Sequence, residues 1–208
     1  MKQLMCGLLA LLMCSMVYGA GAAEPTTILG FTIGKTFNLP ECHWKGDGAL
    51  ASYGYDFQQP ITPCWKHSSL KAHPGDPLNT KGTFKIGVVP ASGKTPDGVR
   101  SDALYLIVVG GHIEGIFVPT NGLDSQDIFL ALLIKKYGKP ESSQRTQVEN
   151  SYGAKFTKYT VAWKKPDALI AYDSMVSSTD WGLIEVASPS GKTFLEDEQS
   201  KIENSSSF

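Results

Sequence analysis

The chain opens with a positive start, Met1-Lys2, a short apolar core from Leu4 to Val17, and then Ala20-Gly21-Ala22. Small residues spaced this way after such a core are what signal peptidase accepts, because only small side chains enter its pockets. Residues 1–22 therefore read as a cleaved export signal. This segment constrains the fold more than any other feature, because it decides which cysteines remain and in which redox setting they work. A retained anchor fits less well, since the apolar run is about fifteen residues and a bilayer span needs ~20. An acylated lipoprotein would keep Cys14, but Met13 before it is not the small residue that such a signal carries. A buried core helix fits poorly too, because Gly21 and Ala22-Ala23-Glu24-Pro25 end the run as a processing site would. The mature protein is expected to begin near Ala23 and to work outside the cytoplasm without a transmembrane anchor. A bacterial periplasm is the expected setting and secretion the alternative.

The chain has four cysteines, and Cys6 and Cys14 leave with the signal. The pair that remains, Cys42 and Cys64, sits in an oxidising compartment and is the natural disulfide. The bridge would close a loop of about 22 residues, worth about 3 kcal/mol on the chain-entropy account. That loop is rich in glycine and aromatics, with Gly46-Asp47-Gly48 and Tyr53-Gly54-Tyr55 inside it. A mature length of about 186 residues suits a single domain with a sizeable core. Net charge is −1 for the whole chain and becomes about −2 without Lys2. That balance argues against a dedicated nucleic-acid binder, which would carry a basic excess.

Residues 27–33 are β-branched and apolar and predict a first strand ending at Gly34. Residues 40–82 are broken by Pro40, Pro60, Pro63, Pro74 and Pro77 and read as irregular. A strand follows over 83–89. Leu104–Val109 and Ile113–Val118 then form the most legible hairpin, turned by Gly110-Gly111, which accept positive φ without steric cost. The next element is a helix over 124–137. Asp124 is placed as its N-cap, and Leu123 with Ile128 as a hydrophobic staple. Ile128, Phe129, Leu132, Leu133 and Tyr137 make an apolar face at helical spacing. Lys135 and Lys136 lie in the last turn, Gly138 is placed for a left-handed cap, and Pro140 blocks continuation. Strands follow over 156–163, 168–172 and 181–187. The segment 191–208 is polar and Ser-rich and predicts a frayed tail, with at most a turn of helix near Phe194-Leu195. The domain plan is thus a signal over 1–22, one α+β domain over 23–190, and a tail. An antiparallel sheet packs on one main helix, with a disulfide-closed irregular region beside it.

No catalytic motif accompanies this framework. Cys42-His43 and Cys64-Trp65-Lys66-His67 hold metal-ligand types, but the spacing matches no zinc finger and export favours the disulfide. A bonded cysteine has no thiolate to act as a nucleophile. Serines are many and His43, His67, His73 and His112 exist, yet no Gly-x-Ser-x-Gly elbow is present. His112 falls at a hairpin turn, where a turn-stabilising role is the ordinary one. Asp124 and Asp127 are accounted for by capping, and Asp47-Gly48 and Asp97-Gly98 by turns. Glu114 alternates out of a strand towards solvent. Gly93-Lys94-Thr95 lacks the earlier glycine of a phosphate loop. No metal or other cofactor is called for.

Over Gly122-Leu123-Asp124-Ser125-Gln126, on to Leu133 and Tyr137-Gly138-Lys139-Pro140, the chain resembles small envelope modules. These are the outer-membrane assembly lipoproteins of the BamE type and the β-lactamase inhibitory protein-like fold. The shared pattern is a polar-capped helix ending in Gly-x-Pro, then an antiparallel sheet bearing an aromatic such as Trp163. The likeness spans residues 122–187 at most, lacks a paired first helix, and carries over no functional residue. It implies protein binding without catalysis.

The function expected is therefore an exported, non-enzymatic binding protein of the cell envelope, in its sharpest form an inhibitor or immunity factor for a hydrolase or toxin. Its partner would be another envelope or secreted protein. Trp44, Tyr53, Tyr55 and Trp65 are the candidate surface, because rigid aromatics give large contact area for little entropy loss. Two alternatives stand beside it. One is an envelope hydrolase using histidine or carboxylate groups of the 40–82 region. The other is a small-ligand carrier, which needs an apolar cavity between sheet and helix.

Overall fold

A computed structural model describes residues 24–42, 44–45, 54–55, 60–66, 78–149 and 152–205. The expected signal, Tyr53, His43, His67 and His73 lie outside the described residues, as do the side chains of Trp44 and Tyr55. The fold is α+β, with one large antiparallel sheet and a helix on each face.

Eight strands make that sheet: β5 (Cys64–Trp65), β6 (Phe84–Val89), β7 (Tyr105–Val109), β8 (His112–Thr120), β9 (Ser142–Glu149), β10 (Lys155–Lys164), β11 (Leu169–Ser178) and β12 (Trp181–Ala187). Their spatial order is β5-β6-β7-β8-β12-β11-β10-β9. Directly paired residues share a face, so the registers draw one continuous row through Ile86, Leu106, Ile116, Val186, Ile170 and Trp163. None of the six is more than 2% exposed. Burying each such side chain contributes about 1.5–3 kcal/mol, so this row is the centre of the core. The opposite face carries Tyr105, Phe117, Glu185 and Ala171 in register. Tyr105 and Phe117 stack there with centroids 4.5 Å apart.

Helix α1 (Gln126–Tyr137) covers the core face. It starts later than the capping pattern predicts. Residues Gly122–Ser125 form a 3-10 turn, Asp124 lies inside it, and Ser125 stands at the α-helix N-cap without a side-chain capping bond. Ser125 Oγ instead donates to Gly122 O. The C-terminal end falls where the sequence predicts. Gly138 leaves with φ 83°, but ψ −162° makes it extended rather than left-handed helical. The predicted apolar face is buried only in part: Phe129 and Leu133 are inside, whereas Ile128 is 53% and Leu132 41% exposed. With Ile128 exposed, the Leu123–Ile128 staple does not seal the start of the helix. Two sheet side chains hold the ends of α1. Tyr172 Oη donates to Gln126 O at 3.4 Å, and Trp163 Nε1 donates to Gly138 O at 2.8 Å.

The segment predicted as a frayed tail is instead a helix, α2 (Pro189–Ser205), packed on the second face against β7, β8 and β12. Ser188 Oγ accepts the Gly191 N–H at 3.1 Å, a side-chain N-cap. Its hydroxyl donates to Glu114, which is thereby engaged rather than simply solvated. Two further differences concern strands. Residues 27–33 are not one strand but a tight hairpin of β1 (Thr27–Ile28) and β2 (Phe31–Thr32), turned by Leu29 and Gly30 at φ 51° and 86°. Strand β9, all polar but for Val148, carries no alternation to signal it, yet pairs with β10 over eight residues.

The Cys42–Cys64 disulfide is formed, with Cα atoms 4.8 Å apart. Cys64 pairs with Val89 at the sheet edge, while Cys42 N–H donates to Trp65 O and Trp65 N–H to Pro40 O, both at 2.9 Å. The bridge thus staples the chain around residues 40–42 to the outermost strand. Within the closed loop, β3 (Trp44–Lys45) pairs with β4 (Gly54–Tyr55).

Candidate functional site

Where α1 stands over the sheet, its buried apolar residues, Phe129 and Leu133, do not fill the space beneath it. A cleft of about 420 Å³ remains between helix, sheet and the β1–β2 hairpin. Its floor is Val118 of β8 and Ile184 of β12, which are direct register partners. Phe129, Leu132 and Leu133 line it from α1, and Ile28 and Leu29 from the hairpin. Pro96 and Val99 close a further side. Val99 is held by a bridge to Thr120, and the Arg100 N–H donates to Pro119 O at 2.9 Å, so this loop is laid along the end of β8.

The hairpin is fastened by polar contacts on several sides. Thr26 donates its backbone N–H and its hydroxyl to the Asp167 carboxylate at 2.6 and 2.7 Å. Tyr137 Oη donates to Thr27 O at 2.9 Å, and Lys136 Nζ also reaches Thr27 O. Downstream, Gly34 N–H donates to Ile113 O at 2.7 Å and Phe37 N–H to Gly111 O at 2.8 Å. These bonds fix Ile28 and Leu29 against the helix. Leu29 pays for that position, since positive φ costs a residue with a Cβ roughly 1–2 kcal/mol. Such strain persists only where the surroundings hold it, and functional sites are where it gathers.

Lys135 and Lys136 complete the lining, and they are its only ionisable groups among the described residues. Partial burial pulls the Lys136 pKa below the ordinary lysine value, with no acidic side chain offsetting it. Burial beside the same wall pushes Tyr137 up to about 12, with Asp167 adding to the shift. Among the described residues the lining is apolar side chains and two ammonium groups, which offer binding surface and positive charge.

The residues singled out from the sequence do not meet here. Trp65 is only 6% exposed and belongs to the core, so it is not part of an exposed aromatic surface. Trp44 and Tyr55 are directly paired in the β3–β4 ladder. His112 sits at the Gly110-Gly111 turn as predicted, its Nδ1 3.2 Å from Gly110 O. Among the described residues, no group of three or more His, Cys, Asp or Glu could hold a metal, and no helix is long and apolar enough to cross a membrane. The cleft itself was legible only in pieces. Its helical residues belong to the predicted apolar face, but its hairpin wall hides in a segment that reads as a plain strand. No protein-family model, curated protein or solved structure matches this chain.

Proposed function

We propose that this is an exported, non-enzymatic binding protein and that its site is the cleft beneath α1, which takes an apolar ligand. The observation that carries the reading is the cleft itself: about 420 Å³, lined almost wholly by aliphatic and aromatic side chains. That volume lies within the 300–1,000 Å³ typical of small-molecule sites. Of the alternatives open from the sequence, the small-ligand carrier asked for an apolar cavity between sheet and helix, and this is one. The inhibitor or immunity-factor version has less behind it, because Trp65 of its proposed surface is buried. The likeness of residues 122–187 to envelope modules is part of the same proposal and points to binding without catalysis. Export rests on the form of residues 1–22, and the Cys42–Cys64 bridge agrees with it.

The test is titration with N-phenyl-1-naphthylamine, a neutral apolar probe that fluoresces when taken out of water. One saturable site is expected, and Leu132→Trp, which fills the cleft from an exposed helical position, should abolish it while leaving the melting temperature within a few degrees. Probe binding that does not saturate, or that survives Leu132→Trp in a folded protein, overturns the assignment.

A further inference from the structure

The cleft is apolar over the middle of α1 and cationic at its last turn. Phe129, Leu132 and Leu133 face Val118 and Ile184, whereas Lys135 and Lys136 follow at the C-terminal end. We propose that the cleft takes a single-chain fatty carboxylate, with its tail between α1 and the Val118–Ile184 floor and its head against Lys135 and Lys136. This rests on the reading that the cleft is the binding site, and it names the ligand.

Three observations select this class. First, neither Lys135 nor Lys136 forms an ion pair among the described residues. The Lys136 ammonium is partly desolvated and donates only to a neutral carbonyl, Thr27 O. An anionic head would supply the missing counter-charge and a charge-assisted hydrogen bond. Secondly, Asp167, which clamps the hairpin, directs both carboxylate oxygens to Thr26 and forms no ion pair with either lysine among the described residues. Thirdly, the end of a helix that carries partial negative charge ordinarily repels an anion. Here that repulsion is reduced: Lys165 Nζ donates to Tyr137 O at 3.0 Å and Trp163 Nε1 to Gly138 O. A singly charged head is tolerated at such an end. A phosphate, with more charge, is better served by a helix N-terminus or an arginine fork, and neither lines the cleft among the described residues. The modest volume favours one alkyl chain over two.

Isothermal titration of the purified full-length protein with dodecanoate, dodecanol and dodecyl phosphate, each below its micelle concentration, tests the proposal. Dodecanoate should occupy one site about tenfold more tightly than dodecanol, the size of effect that one charge-assisted contact provides. Lys135→Gln/Lys136→Gln should bring dodecanoate down to the affinity of dodecanol and leave dodecanol unchanged. Lys136 also touches the hairpin, so Lys135→Gln alone serves as the milder variant and should weaken dodecanoate about threefold. Equal affinity for dodecanoate and dodecanol would sink the headgroup assignment while leaving the apolar cleft intact. Tighter binding of dodecyl phosphate would replace the carboxylate by a phosphate. Failure of all three probes to bind a folded protein would remove the cleft as the site altogether.

Discussion

The two helices lie on opposite faces of one sheet and are attached to it by different means. Helix α1 is tied at both ends by large sheet side chains, Tyr172 and Trp163, over a row of fully buried aliphatics. Helix α2 has a polar start, Ser188 with Glu114, and lies so close to the sheet that only glycine fits at the point of approach. A Cβ on Gly191 would stand 2.0 Å from Glu114 O. Along α2, Phe194 and Leu195 are half-buried and most other side chains face water. The contrast separates two ways of joining a helix to a sheet. One uses volume and leaves a gap that can become a site. The other uses contact between backbones at the point of approach.

The comparison is sharpened most by Trp163→Ala. It empties a fully buried ring position and removes the donor to Gly138 O, so it should cost about 3–5 kcal/mol. In urea the whole molecule should unfold at a lower midpoint in one transition. Gly191→Val should cost less, about 2–3 kcal/mol, and act locally. Amide exchange should accelerate across 189–205 while the sheet stays protected. A uniform loss of protection in that variant would mean that α2 is as integral to the core as α1, and the contrast would fail.

The smallest effect concerns charge beneath α2. Desolvation raises the Glu185 pKa above its ordinary value of 4.5, and Lys192 partly offsets this, while Tyr105 shares the same face. A carboxyl raised on folding stabilises least when ionised. Its contribution is intact below the ordinary value and is lost as pH rises through the folded one. Glu185→Gln should therefore melt higher than the parent at neutral pH and at the same temperature below about pH 4. A difference that persists in acid would point to packing rather than charge.

Legibility in the sequence followed the same division. The β7–β8 hairpin could be read because Gly110-Gly111 sits between two apolar runs, and both glycines do take positive φ, 57° and 84°. The end of α1 could be read from Gly138 and Pro140. Its start could not, since a 3-10 turn holds the same polar residues as a cap. Strand β9 was silent because an edge strand with both faces in water needs no apolar alternation. Helix α2 was silent because its attachment depends on the smallness of one glycine and the hydroxyl of one serine, features that a polar tail also contains. The cleft was half legible. Periodicity marks Phe129, Leu132 and Leu133 as one face, but nothing in the order of residues 27–33 announces a turn at Leu29, a residue that rarely adopts positive φ. The aromatic surface expected of the disulfide loop takes no account of register, and Trp65 pairs with the fully buried Val88, which carries it inward.

The Thr26–Asp167 clamp spans 141 positions of the chain. This clamp on the β1–β2 hairpin therefore cannot close until the turn between β10 and β11 is in place. Contacts of such long separation form late, because the intervening chain must first be ordered. The β1–β2 hairpin is thus fully docked only once its contacts with Ile113, Tyr137 and Asp167 are all made. Since Ile28 and Leu29 are one wall of the cleft, the site is assembled by that final step, and occupancy of the cleft reports that folding has finished.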